Sequence, residues 1–323
     1  MNFDWYKPLS FFTSNTKGSD ENVINFSSFD VNLFKKLCKT TDESKNIFFS
    51  PLSISLALSM LLVGSNGTTK QQLVKALGLV KGEQLHSKLE ELNGVLNSNS
   101  EGLQIKLDNS VFQSTSFQML AKYKSDLESA FKCEIQTLDF MRNSDKSKTF
   151  INDLIADFAN GKIENLFSKL DPESAYVLYS GLYLESVFSS KFCNHNTFSI
   201  LTFHSSTKSS LIQFIVRVDY YHFIKFDNMR IKTLAVPSKQ QHFKLLFILP
   251  IAVDNHQQEL KEAVSCINQK LISLIIATHQ KADFEKTKLL LRLPKFKIEY
   301  EANLNDIFVL WKLKTLLTEK CRF

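Results

Sequence analysis

The sequence predicts an α+β fold built as a single large domain. Three observations carry the prediction. Apolar residues recur every three or four positions through the first half of the chain, long runs with almost no charge replace them from about residue 176, and breakers are scarce, with 9 Gly and 6 Pro against 28 Phe in 323 residues. Helical and extended segments that do not alternate strictly point away from a parallel α/β sheet. Hydrophobic residues make up 44% and charged residues 22% of the chain, an ordinary globular balance that implies a sizeable core. No repeat period, low-complexity tract or linker divides it.

Residues 1–22 are polar and are expected to stay irregular. From Val23 the pattern turns helical: Phe29, Leu33, Phe34 and Leu37 share one face, and Lys35, Lys36 and Lys39 fill the other face and the last turn, where positive charge suits the helix dipole. Asn46-Ile47-Phe48-Phe49 reads as a short buried strand. Ser50-Pro51 then starts a helix, because Ser is a favoured N-cap and Pro at the first helical position loses no needed hydrogen bond. That helix runs through Ile54, Leu58, Leu61 and Leu62 to Gly64 and is apolar almost all round, so it belongs deep in the core. Thr68 and Thr69 precede another, with Leu73, Ala76 and Leu77 on one face and Gly78 as its stop. Leu85, Leu89, Leu92 and Leu96 mark a further amphipathic helix.

Leu103 to Gln113 alternates as a strand, residues 117–132 read as helix, and Phe150 to Phe167 reads as a helix broken at Asn160-Gly161. Tyr176 to Glu185 is a long, nearly uncharged strand, of the kind found in the middle of a sheet. Arg230 to Val236 and Phe243 to Ile251 pair as a hairpin around Ser238-Lys239-Gln240-Gln241. Glu259 to Ala277 is helical and Lys288 to Lys297 extended.

Composition narrows the function classes. The net charge is +6, and the densest basic stretch, Lys281, Lys286, Lys288, Arg292, Lys295 and Lys297, is interleaved with Leu and Pro as on the wet side of a strand. It reads as a solvated face, with a heparin-like ligand as the alternative and no nucleic-acid role. The five cysteines, Cys38, Cys133, Cys193, Cys266 and Cys321, are odd in number and widely spaced, which fits free thiols in a reducing compartment better than a disulfide framework or a metal knuckle. The seven histidines form no helical metal pair, and neither a Gly-x-Ser-x-Gly elbow nor a Gly-rich phosphate loop is present, so no enzyme, metal or cofactor is expected. Met1 to Ser10 has no signal-peptide core, and the apolar run Ile47 to Gly64 carries Pro51 and four serines, a buried helix more than a membrane span. Sequons stand at Asn25 and Asn66.

Asn46-Ile47-Phe48-Phe49-Ser50-Pro51-Leu52-Ser53-Ile54, Ala57-Leu58-Ser59-Met60 and Gly64-Ser65-Asn66-Gly67-Thr68-Thr69-Lys70-Gln71 resemble the serpin signature around that family's buried second helix. Asn109 with Val111-Phe112, Asp139-Phe140, Ile151-Asn152, Gly161-Lys162-Ile163 and Leu293-Pro294-Lys295-Phe296-Lys297-Ile298-Glu299 follow in serpin order. The signature positions Asn46, Pro51, Gly67, Thr69, Asn109, Asn152, Gly161, Lys162, Pro294 and Phe296 identify a fold; capping and strand edges explain several of them by themselves. The resemblance implies helices packed around several mainly antiparallel sheets, a serpin domain over residues 23–307 and a divergent end over 308–323.

It also implies an activity, inhibition of serine or cysteine endopeptidases by a bait loop that is cut and then inserts into the main sheet as a new strand. Ser50 and Ser53 would lie beneath the sheet where it opens. Ser180 stands where the family usually has Asn, Ser186 where it has Gly, and Phe188 where it has Trp. No Ala/Thr-rich hinge is present, so no reactive bond is placed, and residues 1–323 are expected to lack the reactive loop and the strands after it and to be inactive as given. The alternative is a non-inhibitory binding protein. A protease partner, self-association by strand addition, and an extracellular location with a cytoplasmic alternative are further expectations.

Overall fold

In the computed structural model the described residues are 9–14, 27–42, 45–79, 102–188, 198–204, 209–239, 243–251, 256–280 and 286–310. Helices α1 (Ser27–Thr40), α2 (Pro51–Gly64) and α3 (Gly67–Leu77) come early. Strand β2 (Leu103–Ser114), helix α4 (Ala121–Phe131), strand β3 (Glu134–Leu138), helix α5 (Ser144–Phe158) and strand β4 (Tyr176–Ser186) follow. They form a three-stranded sheet of order β3-β2-β4, parallel between β2 and β3 and antiparallel between β2 and β4. The second sheet takes β1 (Leu9–Ser14), β5 (Phe198–His204), β6 (Ser209–Phe226), β7 (Ile231–Pro237), β8 (Phe243–Pro250) and β9 (Thr287–Pro294), in order β1-β8-β7-β6-β5 with β9 beside β6. Helices α6 (His256–Cys266), α7 (Gln269–Gln280) and α8 (Asn305–Leu310) complete the described elements.

Helix α2 starts as its sequence dictates. The Ser50 hydroxyl accepts from the Ser53 N–H at 3.2 Å, Pro51 takes the first helical position, and Ser55, Leu56, Leu58, Ser59, Met60 and Leu62 are buried. With α1, α3 and α4 it builds the largest apolar cluster, centred on Phe29, Leu33, Leu73, Leu127 and Phe131. The second sheet packs α1, α6 and α7 on Ile231, Leu246 and Ile248. There the buried His279 bonds through Nε2 to the Thr233 hydroxyl at 2.9 Å, tying α7 to β7.

Several boundaries depart from the sequence reading. Asn46–Phe49 joins no ladder among the described residues, and Phe48 is 59% exposed while Ile47 and Phe49 pack on the core. Residues 1–22 are not wholly irregular, because Leu9–Ser14 pairs with β8 from Leu9↔Ile248 to Ser14↔Phe243. Strand β4 is not central, since among the described residues it pairs with β2 alone. Its low charge comes from layers above and below, α2 on one face and α5 on the other. The stretch Glu259–Ala277 is two helices; Asn268 Oδ1 accepts from the Leu271 N–H at 3.0 Å and starts the second. Helix α5 begins earlier and ends earlier than Phe150 to Phe167, stopping before Asn160 and Gly161, both at positive φ. After one further bond, from the Lys295 N–H to the Gln213 carbonyl at 2.8 Å, the stretch beyond Pro294 leaves the ladder. The helix expected at Leu85–Leu96 lies outside the described residues.

Candidate functional site

Alternate side chains of β4 enter different layers, as a strand's period of two requires. Tyr176, Leu178 and Leu182 pack toward the α2 side, and Val177 and Tyr179 toward α5. Phe158 of α5 meets Tyr179 edge-on, with ring centroids 6.3 Å apart. Gly181 lets them do so. A Cβ there would collide with the Tyr179 hydroxyl and come within 2.9 Å of Phe158 Cε1.

The middle of β4 carries one polar link. Ser180 stands opposite Asn109 in the ladder and donates its hydroxyl to Asn109 Oδ1 at 2.8 Å, while Asn109 Nδ2 donates to the Phe131 carbonyl at 3.1 Å. The chain from β4 through β2 to the end of α4 is therefore fully paired, and Asn109 is buried. Next to it, burial raises the Asp108 carboxyl above the usual carboxylate range, the Ser110 hydroxyl at 3.0 Å draws it back down, and the charge of Glu134 raises it again. Burial also pushes the Cys133 thiol up to about 12, which makes it a poor nucleophile.

Ser50 and Ser53 bond to each other at 2.9 Å at the head of α2, and α2 packs against β4. Among the described residues no hydrogen bond joins them to Ser180. The other two serines of this apolar run, given no site role by the sequence, lie deeper in the helix. Ser55 and Ser59, one turn apart, are fully buried, with hydroxyl oxygens that find no partner among the described residues. A repeated Ser on an otherwise apolar helix was the available signal.

At the far end of β4, Phe188 forms an isolated bridge to Ser238 and packs half-buried on the second sheet. The Val187 N–H donates to the Gly102 carbonyl at 2.8 Å and the Lys239 N–H to the Val187 carbonyl at 2.8 Å, so this corner ties the two sheets together.

Most of the remaining signature positions start, end or clamp elements. Pro51 opens α2, and Gly67 at φ 58° opens α3 behind Asn66, with Thr69 in its first turn. Asn152 clamps the loop after α5, giving to the Phe167 carbonyl at 3.0 Å and accepting from its N–H at 2.9 Å. Gly161 takes φ 69°, and Lys162 follows it, its N–H bonded to the Ala159 carbonyl at 3.0 Å. Pro294 ends β9 opposite Phe214. Asn46 and Phe296 are exposed and outside the elements. Among the described residues no three His, Cys, Asp or Glu gather as metal ligands, and no helix is long and apolar enough to cross a membrane.

A family model described as Serpin (serine protease inhibitor) matches residues 25–323. The leukocyte elastase inhibitor of Sus scrofa is 25% identical over 280 residues, which cover 86% of this chain and 73% of that protein. Serpin B4 of Homo sapiens is 24% identical over 296 residues, 86% of this chain and 74% of that one. Among solved structures, ovalbumin from emu (Dromaius novaehollandiae) superposes with a TM-score of 0.84 at 20% identity, over 92% of this chain and 79% of the other.

Proposed function

The chain belongs to the serpin family, and from that footing we propose that its body is the scaffold of a serine or cysteine endopeptidase inhibitor that works by taking an extended segment into the sheet beside β4. The observation that carries this reading is the outer edge of β4. Over 11 residues this strand pairs on one side with β2 and on the other with no described strand, while α2 and α5 cover its two faces. Such an edge is a template for main-chain pairing. A segment added there gains a ladder of hydrogen bonds, each worth about 0.5–1.5 kcal/mol net. In the family's mechanism the bait loop, once cut, becomes that strand and carries the acyl-enzyme with it.

Residues 1–323 hold no run of small residues suited to a hinge. By themselves they are therefore inactive in this reading, and no scissile bond is assigned within them. Both parts are tested on the purified chain. A panel of serine and cysteine endopeptidases should give no adduct that survives detergent and boiling; such an adduct would refute the inactivity. A synthetic peptide of alternating small and apolar residues should bind and raise the thermal midpoint. Absence of binding by a folded chain would remove the strand-accepting edge, and with it the scaffold reading.

The second reading, a non-inhibitory binding protein, draws on Ser180, Ser186 and Phe188, which depart from the family's usual residues along the opening strand. Converting Ser180→Asn and Phe188→Trp separates the two: faster peptide uptake supports the inhibitor scaffold, and no change supports the binding protein. Location is proposed as extracellular by family, with the cytoplasm as alternative. Asn66 is exposed at the cap of α3 within its sequon, so a glycan on Asn66 of the cell-made protein would mark passage through the secretory pathway and exclude the cytoplasmic alternative.

A further inference from the structure

A cleft of about 230 Å³ lies between α6 and the turn that joins β6 to β7, lined by Met229, Arg230, Pro250, Glu259, Glu262 and Cys266 among others. Its deepest charged group is Glu259 in the first turn of α6, with a side chain only 10% exposed. Glu259 Oε1 lies 3.8 Å from Arg230 Nη2, beyond a hydrogen bond, and Oε2 is buried with no donor among the described residues. Arg230 also reaches Glu262 Oε2 at 3.5 Å and is itself 62% exposed. One loosely held guanidinium thus faces two carboxylates, and the buried one keeps an oxygen unmet.

An ionised carboxylate oxygen out of water calls for a charged donor. We infer that this cleft binds a small organic cation of the guanidinium class, held bidentately by Glu259 with Arg230 swung out to Glu262 and solvent. The planar fork matches a carboxylate, and Met229, Pro250 and Ala263 offer apolar wall to an alkyl stem. Two carboxylates without a third ligand suit a divalent metal poorly.

Cys266 lines the same cleft and supplies the readout. In the 323-residue chain its alkylation by iodoacetamide is followed by peptide mass spectrometry as agmatine is added. Saturable slowing is expected, and N-butylurea, neutral and of similar planar shape, should give none. Glu259→Gln should weaken agmatine by about tenfold or more, the scale of a lost charge-assisted pair. Arg230→Ala, which removes the internal competitor, should tighten it, and this arm does not depend on the stability of the Glu259 variant. A blocked peptide with one Arg distinguishes the source: protection by agmatine alone assigns a free small cation, and protection by both admits an arginine side chain. Equal slowing by sodium chloride at matched ionic strength, equal slowing by N-butylurea, or agmatine protection unchanged in Glu259→Gln overturns the assignment.

Discussion

Asp30 lies in the first turn of α1 with Oδ1 buried and without a donor among the described residues, and burial raises its carboxyl to about 7. In α7 His279 is buried, its Nδ1 likewise unmet among the described residues, and burial lowers it to about 4, helped by the nearby charges of His222 and Lys244. The signs oppose each other. Asp30 keeps its proton in the folded chain, so its contribution is whole below the ordinary value of 3.8 and is lost as pH rises from there to about 7. His279 stays neutral when folded, so its contribution is whole above 6.5 and is lost as pH falls toward about 4. Each slope is at most ~1.4 kcal/mol per pH unit, and between roughly pH 4 and 6.5 they largely cancel. Relative to the parent, Asp30→Asn should therefore gain stability with rising pH across that window, and His279→Gln should lose it. Urea melts at a series of pH values check this; parallel curves for all three proteins would contradict it. Little of this was legible in the residue string. An Asp three residues into an amphipathic helix looks like a favourable partner of the dipole, and only the packing around it reverses that.

At the scale of elements, Gly181 fixes how closely α5 lies on β4. Gly181→Ala forces the Tyr179 ring and Phe158 apart, and overpacking of this kind costs about 1–3 kcal/mol. The expected result is a lower urea midpoint with an unchanged slope, and an unaltered midpoint would show that α5 yields freely. Ser180→Ala acts on the other face: it leaves Asn109 Oδ1 buried without its donor, at about 1–3 kcal/mol. Elements with local signals were read well. Ser50-Pro51 announced α2, Gly78 ended α3 in the left-handed conformation, and the β7–β8 pair stood out on both sides of its turn. Elements defined by remote partners were not. Leu9–Ser14 becomes a strand only because β8 lies beside it, and the pairing of Ser180 with Asn109 needs a register that no local pattern prints. The split between α6 and α7 has a local signal in Asn268, whose side chain accepts from the Leu271 N–H at the start of α7.

At the scale of the whole molecule, two sheets of different character share one body. The second is closed in by α1, α6 and α7, and its Ile231, Phe247 and Ile248 are almost fully buried. The three-stranded sheet presents β4 at its margin, and the corner at Phe188 joins the two.

The pairing of β1 with β8 also carries a consequence for how the chain comes to rest. The six residues from Leu9 to Ser14 are made long before Phe243–Pro250, the strand they dock against. They must wait for that strand to be made, because contacts so remote in sequence close late. In pulse-labelled deuterium exchange during refolding, the amides of Leu9–Ser14 should gain protection after those of β7 and β8, and simultaneous protection would mean that the opening strand is seated from the outset.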